Sequence, residues 1–312
     1  MSSYRRALPQ LTGAPFITDG GLETSLIFLA GQELPCFAAF PLIETSGGRE
    51  ILGAYFRPYL DMARRRRAGF VLSTPTWRAN RDWGALLGYS VEELRRANAD
   101  SVALMAELRD EQDTGAPIVI EGVIGPRGDG YRAGARMTAD DAERYHAAQV
   151  EAFRDSDADM VGAFTMTYPA EAIGIARAAA ACGLPVAISF TVEADGRLPS
   201  SDSLQSAIEQ VDAACNGSRP EYYMVNCAHP SHFESVLVPD AAWSDRIRGV
   251  RANASTMSHA ELDEATELGA GDPQDLGRRY RALRERMPRL CVLGGCCGTD
   301  HRHIAAICEA CL

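Results

Sequence analysis

Three cysteines near the ends of predicted strands are the residues of this sequence best suited to chemistry. Cys296 and Cys297 lie in the sequence Gly-Gly-Cys-Cys-Gly, which follows a short apolar run and precedes a helical pattern. Adjacent cysteines do not easily bridge each other, because their geometry falls outside the range of a relaxed disulfide. The flanking glycines let the backbone turn both sulfurs toward one centre. A shared Zn²⁺ ion explains the pair better than two buried structural cysteines do.

Cys227 is the third of these cysteines and ends another apolar run. In a barrel of parallel strands, this position lies on the same rim as Cys296 and Cys297. Three thiolates leave one zinc position open, as in catalytic sites, whereas structural sites use four protein ligands. His229 is the rival fourth ligand that would close the site, and the sequence leaves this alternative open.

Short apolar runs alternate with helical patterns along the whole chain, and we predict a strand for each run. The predicted strands are Phe16–Gly21, Phe70–Thr76, Pro117–Gly125, Met160–Met166, Pro185–Thr191, Tyr222–Cys227, Ile247–Ala254 and Leu290–Gly295. The predicted helices are Glu50–Arg67, Val91–Arg109, Thr138–Ser156, Ala170–Cys182, Asp202–Cys215, Pro239–Trp243, Pro273–Arg286 and Asp300–Cys311. Eight alternations predict an α/β protein with one (β/α)8 TIM barrel as a single domain, residues 1–312. A doubly wound sheet is the alternative, but the first strand lacks a Gly-x-Gly-x-x-Gly turn.

The composition excludes several classes of function. A formal net charge of −11 argues against a nucleic-acid partner or an anionic membrane surface. All 31 basic residues are arginine, which removes Schiff-base, pyridoxal and P-loop lysine chemistry. The nine cysteines form no regular disulfide framework, and no apolar run reaches membrane-spanning length. We therefore expect a cytoplasmic protein that acts on small molecules; an oligomer is possible.

Four motifs together resemble the homocysteine S-methyltransferase family. They are Asp19-Gly20-Gly21, the segment Thr74–Trp77, Asn226-Cys227 and the terminal Gly-Gly-Cys-Cys-Gly-Thr. The two cysteine motifs, in this order on late strands, are highly specific, and the resemblance runs from about Phe16 to Ile307. Members of this family use S-methylmethionine, betaine or methylfolate as methyl donor.

The resemblance implies a zinc-containing (β/α)8 barrel and roles for particular residues. Cys227, Cys296 and Cys297 would be the zinc ligands and the catalytic centre. Asp19 and Gly20 would help hold the amino-acid substrate, and we expect Thr74 and Asn226, from the matched motifs, to line the same site. The implied substrates are homocysteine and a methyl donor, and the implied product is methionine.

Thiol chemistry supports the same function independently. Only a few per cent of a free alkyl thiol is thiolate at pH 7, whereas a thiol that enters the open zinc position is deprotonated. A sulfonium donor such as S-methylmethionine then departs as a neutral thioether and needs no general acid. The aromatic rings of Trp77 and Tyr168 are candidates to face such a cation, with ordinary packing as the alternative. A non-catalytic zinc- or thiol-binding barrel and a metal-dependent hydrolase are the other functions considered.

The sequence departs from the family at the fourth strand. Many members carry Glu-Thr there, and the glutamate helps bind the homocysteine amino group, but this chain has Met166-Thr167. Glu121 on the third strand is our candidate replacement, with Arg251 as its alternative partner. The acceptor is then homocysteine held differently or a close analogue such as selenohomocysteine.

Overall fold

Eight parallel strands close into a barrel in the computed structural model, which describes residues 4–112 and 115–312. The strands are β1 Phe16–Ile17, β2 Gly69–Ser73, β3 Ile118–Ile124, β4 Met160–Met166, β5 Val186–Phe190, β6 Tyr222–Asn226, β7 Ile247–Ala252 and β8 Val292–Gly295. Each strand pairs with the next, and β8 pairs with β1. The predicted (β/α)8 TIM barrel is confirmed. The expected domain range includes residues 1–3 and 113–114, which lie outside the described residues.

Helices cover the outside of the barrel. They are α1 Leu22–Thr24, α2 Ser46–Arg66, α3 Arg81–Leu86, α4 Val91–Asp110, α5 Ala139–Arg154, α6 Pro169–Ala181, α7 Leu204–Ala214, α8 Pro230–Phe233, α9 His259–Glu264, α10 Pro273–Arg286 and α11 His301–Cys311. The predicted helix Pro239–Trp243 is wrong: this segment is a turn in which Asp240 has φ +60°. The short helix after β6 is instead α8, which begins at a proline.

Side-chain caps fix where the main helices begin. Thr45, Ser90, Thr138 and Ser203 each accept a hydrogen bond from a backbone N–H in the first turn of the helix that follows. Asp300 caps α11 in the same way and accepts from the Arg302 N–H at 2.9 Å. The last helix therefore starts immediately beyond the cysteine turn and holds it against the barrel rim.

The strands are buried on both faces, because helices cover them outside and side chains fill the barrel inside. Alternate residues of β3, namely Val119, Glu121 and Val123, share one face, and the two valines belong to the apolar cluster that fills the interior. Gln10, in the 3₁₀ turn Pro9–Thr12, is fully buried at the amino end of the barrel and its carbonyl accepts from the Cys291 thiol. Among the described residues, no helix has the length and apolarity needed to cross a membrane.

Candidate active site

The three predicted cysteines meet at the carboxyl ends of β6 and β8. The Sγ atoms of Cys227, Cys296 and Cys297 all lie within 4.8 Å of one another, with 4.0 Å between those of Cys227 and Cys297. Cys227 and Cys296 form a disulfide pair whose Cα atoms are 5.4 Å apart. Three sulfur donors at this spacing fit a soft metal such as zinc.

The triad has two mutually exclusive uses, because a sulfur engaged in a disulfide is not a thiolate ligand. Only the reduced triad offers three donors to one ion. Burial raises the pKa of the Cys297 thiol to about 11 in the metal-free protein. The thiol is therefore protonated at neutral pH, and metal binding must displace its proton.

Asn226 holds the backbone that carries Cys227. Its Oδ1 accepts from the Thr165 N–H at 2.9 Å and from the Ser189 hydroxyl at 2.7 Å, while its Nδ2 donates to the Thr165 hydroxyl at 2.9 Å. Thr165 and Cys227 have φ of +61° and +53°, a region that side-chain-bearing residues seldom occupy. The hydrogen bonds of the Asn226 amide thus hold the backbone at Thr165, next to Cys227.

An ion pair between Arg251 and Asp19 lies beneath the cysteines. The Arg251 Nη2 donates to the Asp19 carboxylate at 2.7 Å, and the Tyr55 hydroxyl donates to the other carboxylate oxygen at 3.0 Å. The Arg251 Nε donates to the Gly295 carbonyl at 3.1 Å. Burial alone would lower the pKa of Arg251, but the nearby carboxylates outweigh it and the pKa is raised. The guanidinium therefore stays charged and joins β7 to the ends of β1 and β8.

Glu121 lies deeper in the barrel than the sequence suggested. It pairs with Ser73 and with Met160, the first residue of β4, so it stands in mid-barrel rather than at the rim. Its carboxylate accepts a hydrogen bond from the Ser73 hydroxyl at 2.9 Å. The Ser73 hydroxyl oxygen in turn accepts from the Arg251 Nη1 at 3.0 Å. A Cβ at Gly162 would overlap this carboxylate, so the glycine provides the space that Glu121 fills. Glu121 is not among the residues that line the cavities at the rim.

We predict that Glu121→Gln alters how stability depends on pH. Burial raises the pKa of Glu121 from 4.5 to about 7, so the folded state binds more protons than the unfolded state between these pH values. The free energy of unfolding therefore falls as pH rises through this window, by up to about 3 kcal/mol. Glutamine does not ionise, so the variant lacks this pH-dependent loss of stability. The free energy of unfolding of Glu121→Gln minus that of wild type should therefore increase from pH 5 to pH 8.

Urea unfolding at pH 5 and pH 8 measures this effect. Glu285→Gln, at an exposed position of α10, is the matched control and should show no such change. We expect the kcat/KM for the thiol acceptor to change less than about threefold in Glu121→Gln, because the side chain lies below the rim. A large loss confined to the acceptor would contradict this and restore the substrate role predicted from the sequence.

A small cavity of about 80 Å³ adjoins the cysteines on the barrel axis. The predicted substrate residues Asp19, Gly20, Thr74 and Asn226 all line it. Its volume corresponds to roughly six water-sized positions, which suits a small amino acid rather than a nucleotide. The Thr74 hydroxyl is engaged by Thr76 and by the Val123 N–H, so this side chain also supports the neighbouring strand.

A larger cavity of about 420 Å³ also borders the cysteines, through Cys227 and Cys297. Residues that line both cavities are Phe37, Trp77, Thr165, Cys227 and Cys297. The larger cavity is also lined by Tyr131, whose hydroxyl lies 3.7 Å from the Cys297 sulfur and whose ring stacks on His259 at 4.0 Å. Three carboxylates and one guanidinium line it, from Asp129, Asp263, Glu267 and Arg78.

Of the remaining candidate residues, Trp77 lies at the site, whereas Tyr168 and His229 have structural contacts. Trp77 lines both cavities, whereas Tyr168 is buried and its hydroxyl accepts from the Met137 N–H at 3.0 Å. His229 caps α8 through Ser231, and in the described part of the chain it is not a member of the group that converges on a metal position. Burial lowers the pKa of His229 to about 4, so its ring is neutral.

Sequence reasoning missed Glu23 and Tyr131. Glu23 lines the small cavity and lies four residues after Asp19, so its place next to the Asp-Gly-Gly motif is the signal in the sequence that points to it. Tyr131 stands in the long connection between β3 and α5, where no apolar pattern indicates which side chain returns to the rim.

The family model described as homocysteine S-methyltransferase matches residues 16–311. A comparison with curated proteins gives no match. The oxidized form of the homocysteine methyltransferase MmuM from Escherichia coli is 22% identical, with 97% of each chain covered and a TM-score of 0.71. The metallated form of the same enzyme is 20% identical, with coverage of 95% and 96% and a TM-score of 0.69. These structures share the fold of this chain.

Proposed function

The chain belongs to the homocysteine S-methyltransferase family, and we propose that it transfers a methyl group from a sulfonium donor such as S-methylmethionine to homocysteine at a zinc ion. The product is methionine. Cys227, Cys296 and Cys297 hold the ion, and the protein acts in a reducing compartment such as the cytoplasm, because the three thiols must stay reduced. The observation that carries this proposal is a cysteine triad that lines a small cavity and shares Cys227 and Cys297 with a larger one.

The two cavities suit a reaction between two substrates that meet at one atom. The small cavity takes the amino-acid thiol, and the larger one takes the methyl donor. Phe37 and Trp77 line both cavities and are apolar side chains that would limit water between bound substrates. A donor and a thiolate bound in adjoining cavities would meet at the cysteines they share.

The chemistry needs the thiolate form of the acceptor, which a free thiol supplies only in small part at neutral pH. Cys227, Cys296 and Cys297 would hold a zinc ion, and such an ion would lower the pKa of a substrate thiol and so favour its thiolate. The thiolate electron pair forms the new S–CH3 bond. The C–S bond of the sulfonium breaks, and its pair stays on the departing sulfur as a neutral thioether.

The lining of the larger cavity supports a cationic donor. Asp129, Asp263 and Glu267 give it an excess of negative charge over Arg78. The guanidinium of Arg78 is already stacked between Trp77 and Trp83 and donates to the Gly128 carbonyl at 2.9 Å. The rings of Trp77 and Tyr131 line this cavity and are our candidates to contact a sulfonium methyl group.

The test combines metal analysis with a panel of donors. The protein is purified under reductant, its zinc is measured, and homocysteine is offered with methyl-labelled S-methylmethionine, S-adenosylmethionine or betaine. We expect about one zinc per chain and labelled methionine fastest from a sulfonium. Betaine as the better donor would overturn the sulfonium part. Retained zinc without methionine from any donor would indicate a non-catalytic metal-binding barrel.

A further inference from the structure

We propose that the carboxylate of Glu23 binds the ammonium group of the amino-acid acceptor, an inference that rests on the function proposed above. Glu23 would then determine specificity, because it distinguishes an amino-acid thiol from other small thiols. The residue lies in α1, directly after the glycines at the end of β1, and lines the small cavity. It stands on the acceptor side of the cysteine triad.

Asp19 and Glu23 are the two carboxylates that line this cavity. Asp19 is already neutralised, because Arg251 donates to one of its oxygens at 2.7 Å and Tyr55 to the other at 3.0 Å. A substrate ammonium at Asp19 would compete with a buried guanidinium for the same oxygen. Asp19 therefore serves to fix Arg251, and the ammonium needs another carboxylate.

Of the two carboxylates that line the small cavity, Glu23 is the one without a side-chain partner among the described residues. Its own backbone N–H donates to it, Arg251 and Arg78 act on it only at longer range, and burial raises the pKa of this carboxyl to about 7. The nearby cations are engaged elsewhere: Arg251 by Asp19, Ser73 and Gly295, and Arg78 by Gly128. A partly buried, unpaired carboxylate is costly, and a bound cation removes that cost.

The position of Glu23 also fits the length of the acceptor. Glu23 and Cys297 both line the small cavity, so the carboxylate and the sulfur border the same space. In homocysteine, three carbon atoms separate the ammonium nitrogen from the sulfur. A short α-amino thiol therefore reaches from Glu23 to the triad, and its ammonium screens the carboxylate from the thiolates. The chemical class selected is a small zwitterionic amino acid with a terminal thiol or selenol.

The test compares two acceptors that differ only in the amino group, L-homocysteine and 4-mercaptobutyrate, in wild-type protein and Glu23→Gln. A charge-assisted hydrogen bond to the ammonium predicts that kcat/KM for homocysteine falls by about 30- to 100-fold. The value for 4-mercaptobutyrate should change by less than about threefold. Zinc content should stay the same. Glu33→Gln, at an exposed position of the following loop, is the matched control and should behave as wild type.

Equal losses for both acceptors would overturn the proposal, because Glu23 would then act on the donor or on the thiol proton. No loss for either would place the ammonium elsewhere. Titration calorimetry of the metal-loaded proteins with homocysteine gives a readout without turnover, and Glu23→Gln should weaken binding by the same factor. If the wild type binds homocysteine but does not methylate it from any donor tested, the proposed function is wrong. The calorimetry would still decide whether Glu23 binds the ammonium group. Absence of homocysteine binding to the wild type would overturn both.

Discussion

A Cys297→Ser protein is expected to carry less than about a tenth of a zinc ion per chain and to form methionine at least about 1000-fold more slowly than wild type. A serine hydroxyl is a harder donor than a thiolate and stays protonated near neutral pH. Two thiolates remain, and they are also the pair that can close into a disulfide. Loss of one sulfur therefore removes both the metal and the position at which the acceptor thiol is deprotonated.

The barrel of Cys297→Ser should stay folded, because Cys297 lies in the turn after β8 and outside the apolar core. Circular dichroism and urea unfolding check this, and zinc is measured in the same samples. Cys36→Ser, at an exposed cysteine, is the control for thiol replacement and should retain metal and activity. His229→Ala should also retain its metal, since Ser231 engages that ring. Full zinc in Cys297→Ser would contradict the three-thiolate site.

The barrel and its cysteine centre were predictable because their signals are local. Each strand is buried on both faces, so it appears in the sequence as a continuous apolar run bounded by polar residues. Cys227 and the Cys296-Cys297 pair follow such runs directly, and parallel strands bring their carboxyl ends to one rim. The order of the strands was therefore enough to predict that these cysteines lie together.

The depth of Glu121 was not predictable from the same signals. A strand buried on both faces shows no alternation, so the sequence does not reveal its register with its neighbours. Glu121 pairs with the first residue of β4, which lowers it below the rim by several residues. The charge pairing of Asp19 likewise depends on Arg251, 232 positions away in the chain. Glu23 became a candidate only when the structure showed which carboxylate lacked a partner.

The largest effect on stability should come from Arg251→Met. This change leaves the buried carboxylates of Asp19 and Glu121 without their cation, and the free energy of unfolding at pH 8 should fall by about 3–5 kcal/mol. Protonation of the stranded carboxylates relieves the repulsion and desolvation at lower pH. The loss should therefore be smaller at pH 5 than at pH 8, as measured by urea unfolding.

A double-mutant cycle tests whether the ion pair is the cause. Asp19→Asn combined with Arg251→Met removes one of the stranded charges, so the double variant should be more stable than Arg251→Met alone by at least about 1 kcal/mol at pH 8. Additive losses would mean that Arg251 stabilises the barrel through packing against Phe164, whose ring centroid lies 5.1 Å away. Arg279→Met, at a partly exposed arginine of α10, is the control for removal of a guanidinium.

Arg251→Met should also weaken metal binding, even though Arg251 is not a ligand. Its Nε holds the Gly295 carbonyl immediately before Cys296, and its Nη2 contacts the Gly20 carbonyl at 3.3 Å. Loss of these contacts frees the turn that orients two of the three sulfurs, and changes in such outer contacts cost about 10- to 100-fold in metal affinity. Zinc competition against a chelator measures this affinity in folded protein at about pH 6, where the stability loss is smaller than at pH 8. Suppose that the zinc affinity is unchanged while the free energy of unfolding is lowered. Arg251 would then stabilise the barrel only, because the cysteine turn would keep its geometry without the guanidinium.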